Sequence, residues 1–287
     1  MRPLLALAVA LAAFAALSAL SLWLAVRPPR LAIPLHPGDY GLRPEAVTIA
    51  SDDGLALAAW LLPRPGAPAV VLLHGYPADK ADLLPLASVL HQRYTTLLVD
   101  LRYFGASEGR ATTLGVRERG DLMRAIDALE ARGFGPVGVF GLSLGGAVAI
   151  MAAAEDSRIR AVAAYGAFAD LRSLGRELYA WLGPLKYPFV ELMVAWGRLA
   201  LGVDLTTPSP VRAAARVRVP VLLIHSRADE QIPFGHAERL RRALAANPHA
   251  DLHVLDAGRH GELPGDFAAR LARFFSTHLQ EPERHLR

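Results

Sequence analysis

Ser143 lies in Gly141-Leu142-Ser143-Leu144-Gly145-Gly146, after a valine-rich run and before an alanine-rich one. A serine hydroxyl is a poor nucleophile at neutral pH and needs a base to take its proton. A strand, a sharp turn and a helix in that order would hold the serine in a strained conformation with Oγ projecting alone. Gly141 and Gly145 lack Cβ atoms, so the strand and the helix can pass closely beneath it. The Leu144 N–H, at the start of the helix, would point to where an oxyanion forms. The chemistry is acyl transfer, and it requires a base, an acid and a second oxyanion donor.

Two later loops supply the base and the acid. Ser226-Arg227-Ala228-Asp229-Glu230-Gln231-Ile232-Pro233 follows one apolar run, and Asp256-Ala257-Gly258-Arg259-His260-Gly261 follows another. His260 is expected to take the Ser143 proton and return it to the leaving group, with Asp229 holding the imidazole tautomer. The alternatives for the base are His225, His236, His249, His253 and His278, of which His225 and His253 fall within strands. Glu230 and Asp170 are alternatives for the acid. His74-Gly75-Tyr76-Pro77 ends an early apolar run and offers the Tyr76 N–H as second oxyanion donor. His74 itself is expected to orient that turn. Asp100 is expected to brace a loop, with Arg102 as its partner.

The elements that must position these groups alternate. Runs at 47–49 and 55–62 flank Ser51-Asp52-Asp53-Gly54, a hairpin signal, so the domain opens with antiparallel strands. Strands then fall at 69–73, 95–101, 137–142, 159–165, 219–225 and 252–255. Helices are expected at 78–91, 114–131, up to about 154, 234–246 and 264–279. Alternation at this spacing predicts a mostly parallel sheet of about eight strands with helices on both faces. Ser143, Asp229 and His260 then all sit just past strand carboxyl ends, where open parallel sheets place their sites. The pattern breaks at about 170–210. There Tyr179, Trp181, Tyr187, Phe189 and Trp196 occur with little charge, which reads as a helical lid over an apolar pocket. The tail from Glu281 is polar and reads as frayed.

Composition limits the rest. The chain has 287 residues, enough for one large α/β domain, and no cysteine, which excludes disulfides, thiolate metal ligands and a cysteine nucleophile. The net charge of +4 comes almost wholly from arginines scattered among acids, without a basic stripe, so nucleic acid is not expected as a partner. The stretch from Leu4 to Val26 carries no charge and ends near Trp23. Its length of about 23 residues suits a single membrane span better than the shorter core of a cleaved signal. Residues 1–29 are thus read as a membrane anchor and the start of a linker, and 30–287 as the catalytic domain. Charges flank the span on both sides, so the side of the membrane stays open, as does the oligomeric state.

The order Ser, Asp, His and the surrounding motifs resemble the α/β-hydrolase superfamily. Within it, the chain is similar to membrane-anchored Bem46-like and serine-aminopeptidase-like hydrolases. The likeness runs from Val47 to Leu279. It rests on the His-Gly-Tyr turn, the loop 100–109, the Gly-Leu-Ser-Leu-Gly-Gly elbow, Ser209-Pro210, the strand before His225, Asp229 with Ile232-Pro233, and Gly-Arg-His-Gly. The resemblance implies the α/β-hydrolase fold, no metal and no cofactor. It implies a serine hydrolase cleaving carboxylic esters of small-molecule or lipid-like acyl substrates (EC 3.1). A peptidase of the same fold (EC 3.4) would need an acid in the lid, Glu177 or Glu191, to bind a free amine. A binding protein on a hydrolase scaffold is the remaining alternative. One departure is Tyr103-Phe104, where relatives carry Gly and then a small or aromatic residue. It makes that loop bulkier.

Overall fold

Short continuous apolar runs become strands buried on both faces, and each is followed by a helix that covers one face. The computed structural model describes residues 2–279, so the tail from Glu281 lies outside the described residues. Strands β1 (Glu45–Ala50), β2 (Ala56–Leu62), β3 (Ala69–Leu73), β4 (Thr95–Val99), β5 (Val137–Leu142), β6 (Ile159–Tyr165), β7 (Val221–Ser226) and β8 (Ala250–Leu255) form one sheet. Their order across it is β1-β2-β4-β3-β5-β6-β7-β8. β2 pairs antiparallel with β1 and β4, and all pairs from β4 to β8 are parallel. The 51–54 turn closes the first hairpin as expected, with Ser51 Oγ accepting from the Leu55 N–H at 2.8 Å.

Helices α3 (Glu118–Glu130), α4 (Leu144–Ala153), α7 (Pro210–Ala214) and α8 (Gly235–Ala243) cover one face. Helices α2 (Leu84–Leu90) and α9 (Phe267–Leu279) cover the other, where Phe140, Tyr165, Phe267 and Phe275 fill the core. Each such side chain contributes about 1.5–3 kcal/mol by leaving water. Three expected helices begin late, each for a local reason. Asp79 caps a 3-10 turn, Lys80–Leu83, and α2 starts afresh at Leu84 with Pro85 in its first turn. The Glu118 carboxylate binds the N–H groups of Thr113 and Gly115 and both threonine hydroxyls at 112 and 113, which ties 112–117 into a loop ahead of α3. The Phe267 N–H bonds the Pro264 carbonyl, so a turn precedes α9.

The roof of the molecule is separate. Helix α5 (Leu171–Leu178), a 3-10 segment (Ala180–Leu185) and α6 (Lys186–Leu201) stand over the carboxyl ends of the strands. Helix α1 (Arg2–Val26) packs along α6. Phe14 meets Phe189 edge-on at 5.4 Å between centroids, and the Trp196 indole N–H donates to Ser18 Oγ at 3.0 Å. Leu22, Val26 and Leu205 form a small core of their own. Helix α1 is long and apolar enough to cross a membrane.

Candidate active site

The β5–α4 turn holds Ser143 at φ 52°, ψ −112°, a conformation that L-residues adopt only under constraint. The constraint is visible. A Cβ at Gly141 would overlap the Gly145 backbone, and a Cβ at Gly145 would overlap the Leu73 carbonyl, so strand and helix can cross here only as glycines. The Ser143 N–H is spent on the Tyr165 carbonyl at 2.7 Å, which pins the turn to β6. Leu144 is the first residue of α4, so its N–H has no acceptor within the helix and is free for an anion.

The loops after β7 and β8 meet beside this turn. His260 Nδ1 and Asp229 Oδ2 are 2.7 Å apart. The other Asp229 oxygen accepts from the N–H groups of Gln231 and Ile232 at 2.9 and 2.8 Å. Burial alone would raise this carboxyl. The bonds from His260 and the two amides outweigh burial and hold it below the ordinary carboxylate range. With Nδ1–H given to Asp229, His260 Nε2 is left as the acceptor. The ring lies against Gly166, where a Cβ would come within 3.1 Å of His260 Cε1. Among the described residues no hydrogen bond joins Ser143 Oγ to His260 Nε2, which is common before substrate binds. Glu230, the alternative acid, instead braces the loop by accepting from the His260 N–H at 3.1 Å.

The Tyr76 turn comes to the same place. Gly75 Cα sits so that a Cβ would touch Ser143 Cβ at 3.4 Å, which brings the backbone that leads into Tyr76 against the serine. The Tyr76 phenol is pushed up to about 12 by burial and stays neutral. His74 is fully buried. Nδ1 meets the Gly75 carbonyl at 2.7 Å and Nε2 accepts from the Leu101 N–H at 3.0 Å. Burial lowers its pKa. It fastens the oxyanion turn to the loop after β4, the orienting role expected of it.

The other candidates hold other places, and one of them, His225, sits close to the acid with Nε2 3.6 Å from Asp229 Oδ2. His225 bonds the Ile232 carbonyl at 2.8 Å inside β7, and His253 lies in β8. His236 joins the Ala169 N–H to Glu177, so it ties α8 to the lid. His249 follows α8 and His278 lies in α9, neither in the catalytic loops. Asp170 caps α5 through Ser173. The expected partnership of Asp100 with Arg102 does not form. Asp100 instead pairs with Lys80 and accepts from the Lys80 and Ala106 N–H groups. Arg102 points away from it and is bidentate to Asp121 while also pairing with Asp53. Each takes its opposite charge from another segment: Lys80 sits on Asp100, and Asp121 with Asp53 take the guanidinium. Neither lid acid is free to bind an amine: Glu177 pairs with His236 and Arg239, and Glu191 with Arg172 and Arg176.

Above Ser143 lies a cavity of about 310 Å³, walled by Tyr76, Leu144, Phe168, Leu171, Leu174 and Ile232 among others. Among the described residues no charged side chain lines it. Ala25, in the last turn of α1, is part of its wall. Sequence reasoning did not find this, because an all-apolar stretch carries no periodicity to separate a face that meets protein from one that meets lipid. The bulky Tyr103-Phe104 has a place in the same arrangement. The Tyr103 hydroxyl donates to the Pro28 carbonyl at 2.6 Å, and Phe104 packs edge-on against both His74 and Tyr76.

A family model described as alpha/beta hydrolase fold matches residues 68–187. Rv2307c of Mycobacterium tuberculosis is 31% identical over 221 residues, covering 75% of this chain and 72% of that protein. YfhR of Escherichia coli is 28% identical, covering 82% of this chain and 85% of that one. Among solved structures, the Pyrococcus furiosus esterase Pf2001 superposes with a TM-score of 0.73 at 24% identity, over 89% of this chain and all of the esterase chain.

Proposed function

The chain belongs to the α/β-hydrolase family, and on that premise we propose that it is a serine hydrolase that cleaves carboxylic esters of acyl or lipid-like substrates. Ser143 Oγ attacks the ester carbonyl while His260 Nε2 takes its proton. Asp229 keeps the ring in the required tautomer and stabilises the imidazolium. The Tyr76 and Leu144 N–H groups receive the oxyanion. His260 then protonates the departing alcohol, leaving an acyl-enzyme on Ser143. Water, deprotonated by the same imidazole, attacks the acyl-enzyme and releases the acid.

The observation that carries this reading is the 2.7 Å contact between Asp229 and His260 beside a serine held at positive φ. The uncharged cavity supports an acyl substrate over a polar one. The engagement of Glu177 and Glu191 in ion pairs argues for an ester over an amino-terminal peptide. Helix α1 is read as the anchor that keeps the enzyme at a membrane. The test is covalent labelling by a fluorophosphonate and turnover of p-nitrophenyl esters of rising acyl length, with Ser143→Ala alongside. Labelling and turnover that both vanish in the variant support the reading. Absence of labelling in the wild-type protein overturns it in favour of a binding protein on this scaffold.

A further inference from the structure

Residues 2–13 of α1 are all exposed, and Phe14, packed on Phe189 of α6, is the first that is partly buried. Twelve residues of helix rise about 18 Å. The hydrocarbon of a bilayer is about 30 Å thick and needs about 20 residues. A spanning α1 must therefore use its next two turns as well, and these are sheathed on one face by Phe189 and Trp196. If α1 crosses the membrane, the amino-terminal half of α6 and the segment leading into it go in beside it.

That segment is built for such a place. Leu178, Trp181, Leu185 and Tyr187 are 58, 72, 55 and 51% exposed. Lys186 is the only charge between residues 178 and 187, and its long stem lets the ammonium reach back toward the interface. The apolar tip runs on from the exposed Leu11, Leu17 and Leu20 of α1. The nearby lid charges are paired among themselves, Arg172 and Arg176 on Glu191 and Arg198 on Asp204. A second space of about 120 Å³ between α1 and α6, lined by Leu22, Val190, Met193 and Val194, adjoins the cavity above Ser143 and shares Leu171 and Leu174 with it as wall. Leu178 lines both spaces and is also exposed at the tip, so the two spaces lie next to the surface on the side that α1 takes into the bilayer.

The geometry points to a lid seated in the hydrocarbon of the adjoining leaflet, with the cavity taking the acyl chain of a lipid ester directly from that leaflet along α1. The acyl-chain part rests on the esterase reading above, whereas the seating of the lid does not.

The test uses the full chain in phosphatidylcholine vesicles. Lipids brominated in the acyl chains, and iodide in the water, are compared as quenchers of the wild-type protein and of Trp181→Phe. The fluorescence lost in the variant should be the part that bromine quenches and iodide does not. Iodide quenching of that part overturns the seating, as does a membrane-extracted chain whose mass lacks α1. Ala25→Trp, which fills the cavity wall, should cut kcat/KM on a hexadecanoyl ester by about tenfold more than on a butanoyl ester. An equal loss on both overturns the acyl-chain route. A protein that fluorophosphonate does not label but whose Trp181 is quenched by bromine would retain the seating and lose the esterase. Labelled Ser143 with iodide-quenched Trp181 would do the reverse.

Discussion

The floor and the roof of the cavity are held by different physics. The floor is strand ends and tight turns in which nearly every polar atom has a named partner: Ser143 N–H on Tyr165, His74 between Gly75 and Leu101, Asp229 on His260 and two amides. The roof is α1, α5 and α6, joined mostly by apolar contact, with Ser18–Trp196 and the Arg172 and Arg176 pairs to Glu191 as polar ties within it and Glu177–His236 tying it to α8. Hydrogen bonds and backbone crossings fix geometry to tenths of an ångström, as acyl transfer needs. Apolar contact fixes composition and leaves shape adaptable. Chemistry should thus be decided below the substrate and selectivity above it.

Variants can break that division. Ser143→Ala should lower kcat by about six orders of magnitude and Asp229→Asn by about four, with the thermal midpoint unchanged for the serine variant, read by ester turnover and a melting curve. Gly141→Ala, which forces a side chain into the Gly145 backbone, should cost stability by about 1–3 kcal/mol or more, seen as a lower denaturant midpoint and lost labelling. Acid should act first on buried histidines, His74 and His225 in the floor and His236 at its tie to the roof, whose pKa values are lowered by burial. Between the folded and unfolded values the unfolded chain binds more protons, so stability is complete above about pH 6.5 and is lost as the pH falls through the lowered values. Asp229, also lowered, adds its loss only below the ordinary carboxylate range near pH 4. Melting curves from pH 8 to 4 should show a decline that starts below pH 6.5, at about 2–4 °C per kcal/mol. Trp196→Phe removes one roof hydrogen bond. It should cost about 1 kcal/mol and alter KM for long acyl esters while leaving the rate of Ser143 labelling within about twofold. A large fall in labelling would show that the roof also sets the chemistry.

Legibility follows the same line. The strand, turn and helix around Ser143, the loops of Asp229 and His260, and the alternation that predicts the sheet are local patterns, and the structure places them where the spacing puts them. What the sequence hid is contact between distant segments. Arg102 finds Asp121 and Asp53 rather than its neighbour Asp100, which takes Lys80 from twenty residues away. The last turn of α1 forms cavity wall although its composition reads only as membrane span. Burial of this kind is a property of pairs, and no window of sequence contains both members. Glu118 is a different case: its four donors lie three to six residues before it, but an acid between arginines in a helical run gives no sign that it is buried.

The Tyr103 clasp couples α1 to the loop after β4. Its hydroxyl grips the Pro28 carbonyl two residues past α1, Arg30 lies over its ring and bonds the Gly109 carbonyl, and the Thr112 N–H holds the Val26 carbonyl. Phe104, next in the chain, bears on His74 and Tyr76. If α1 crosses a membrane as proposed, a change in its tilt, as bilayer thickness imposes on a membrane helix, would be a torque on the Gly75-Tyr76 turn. Under that proposal, lateral pressure in the membrane and the alignment of the Tyr76 N–H would share a single mechanical linkage.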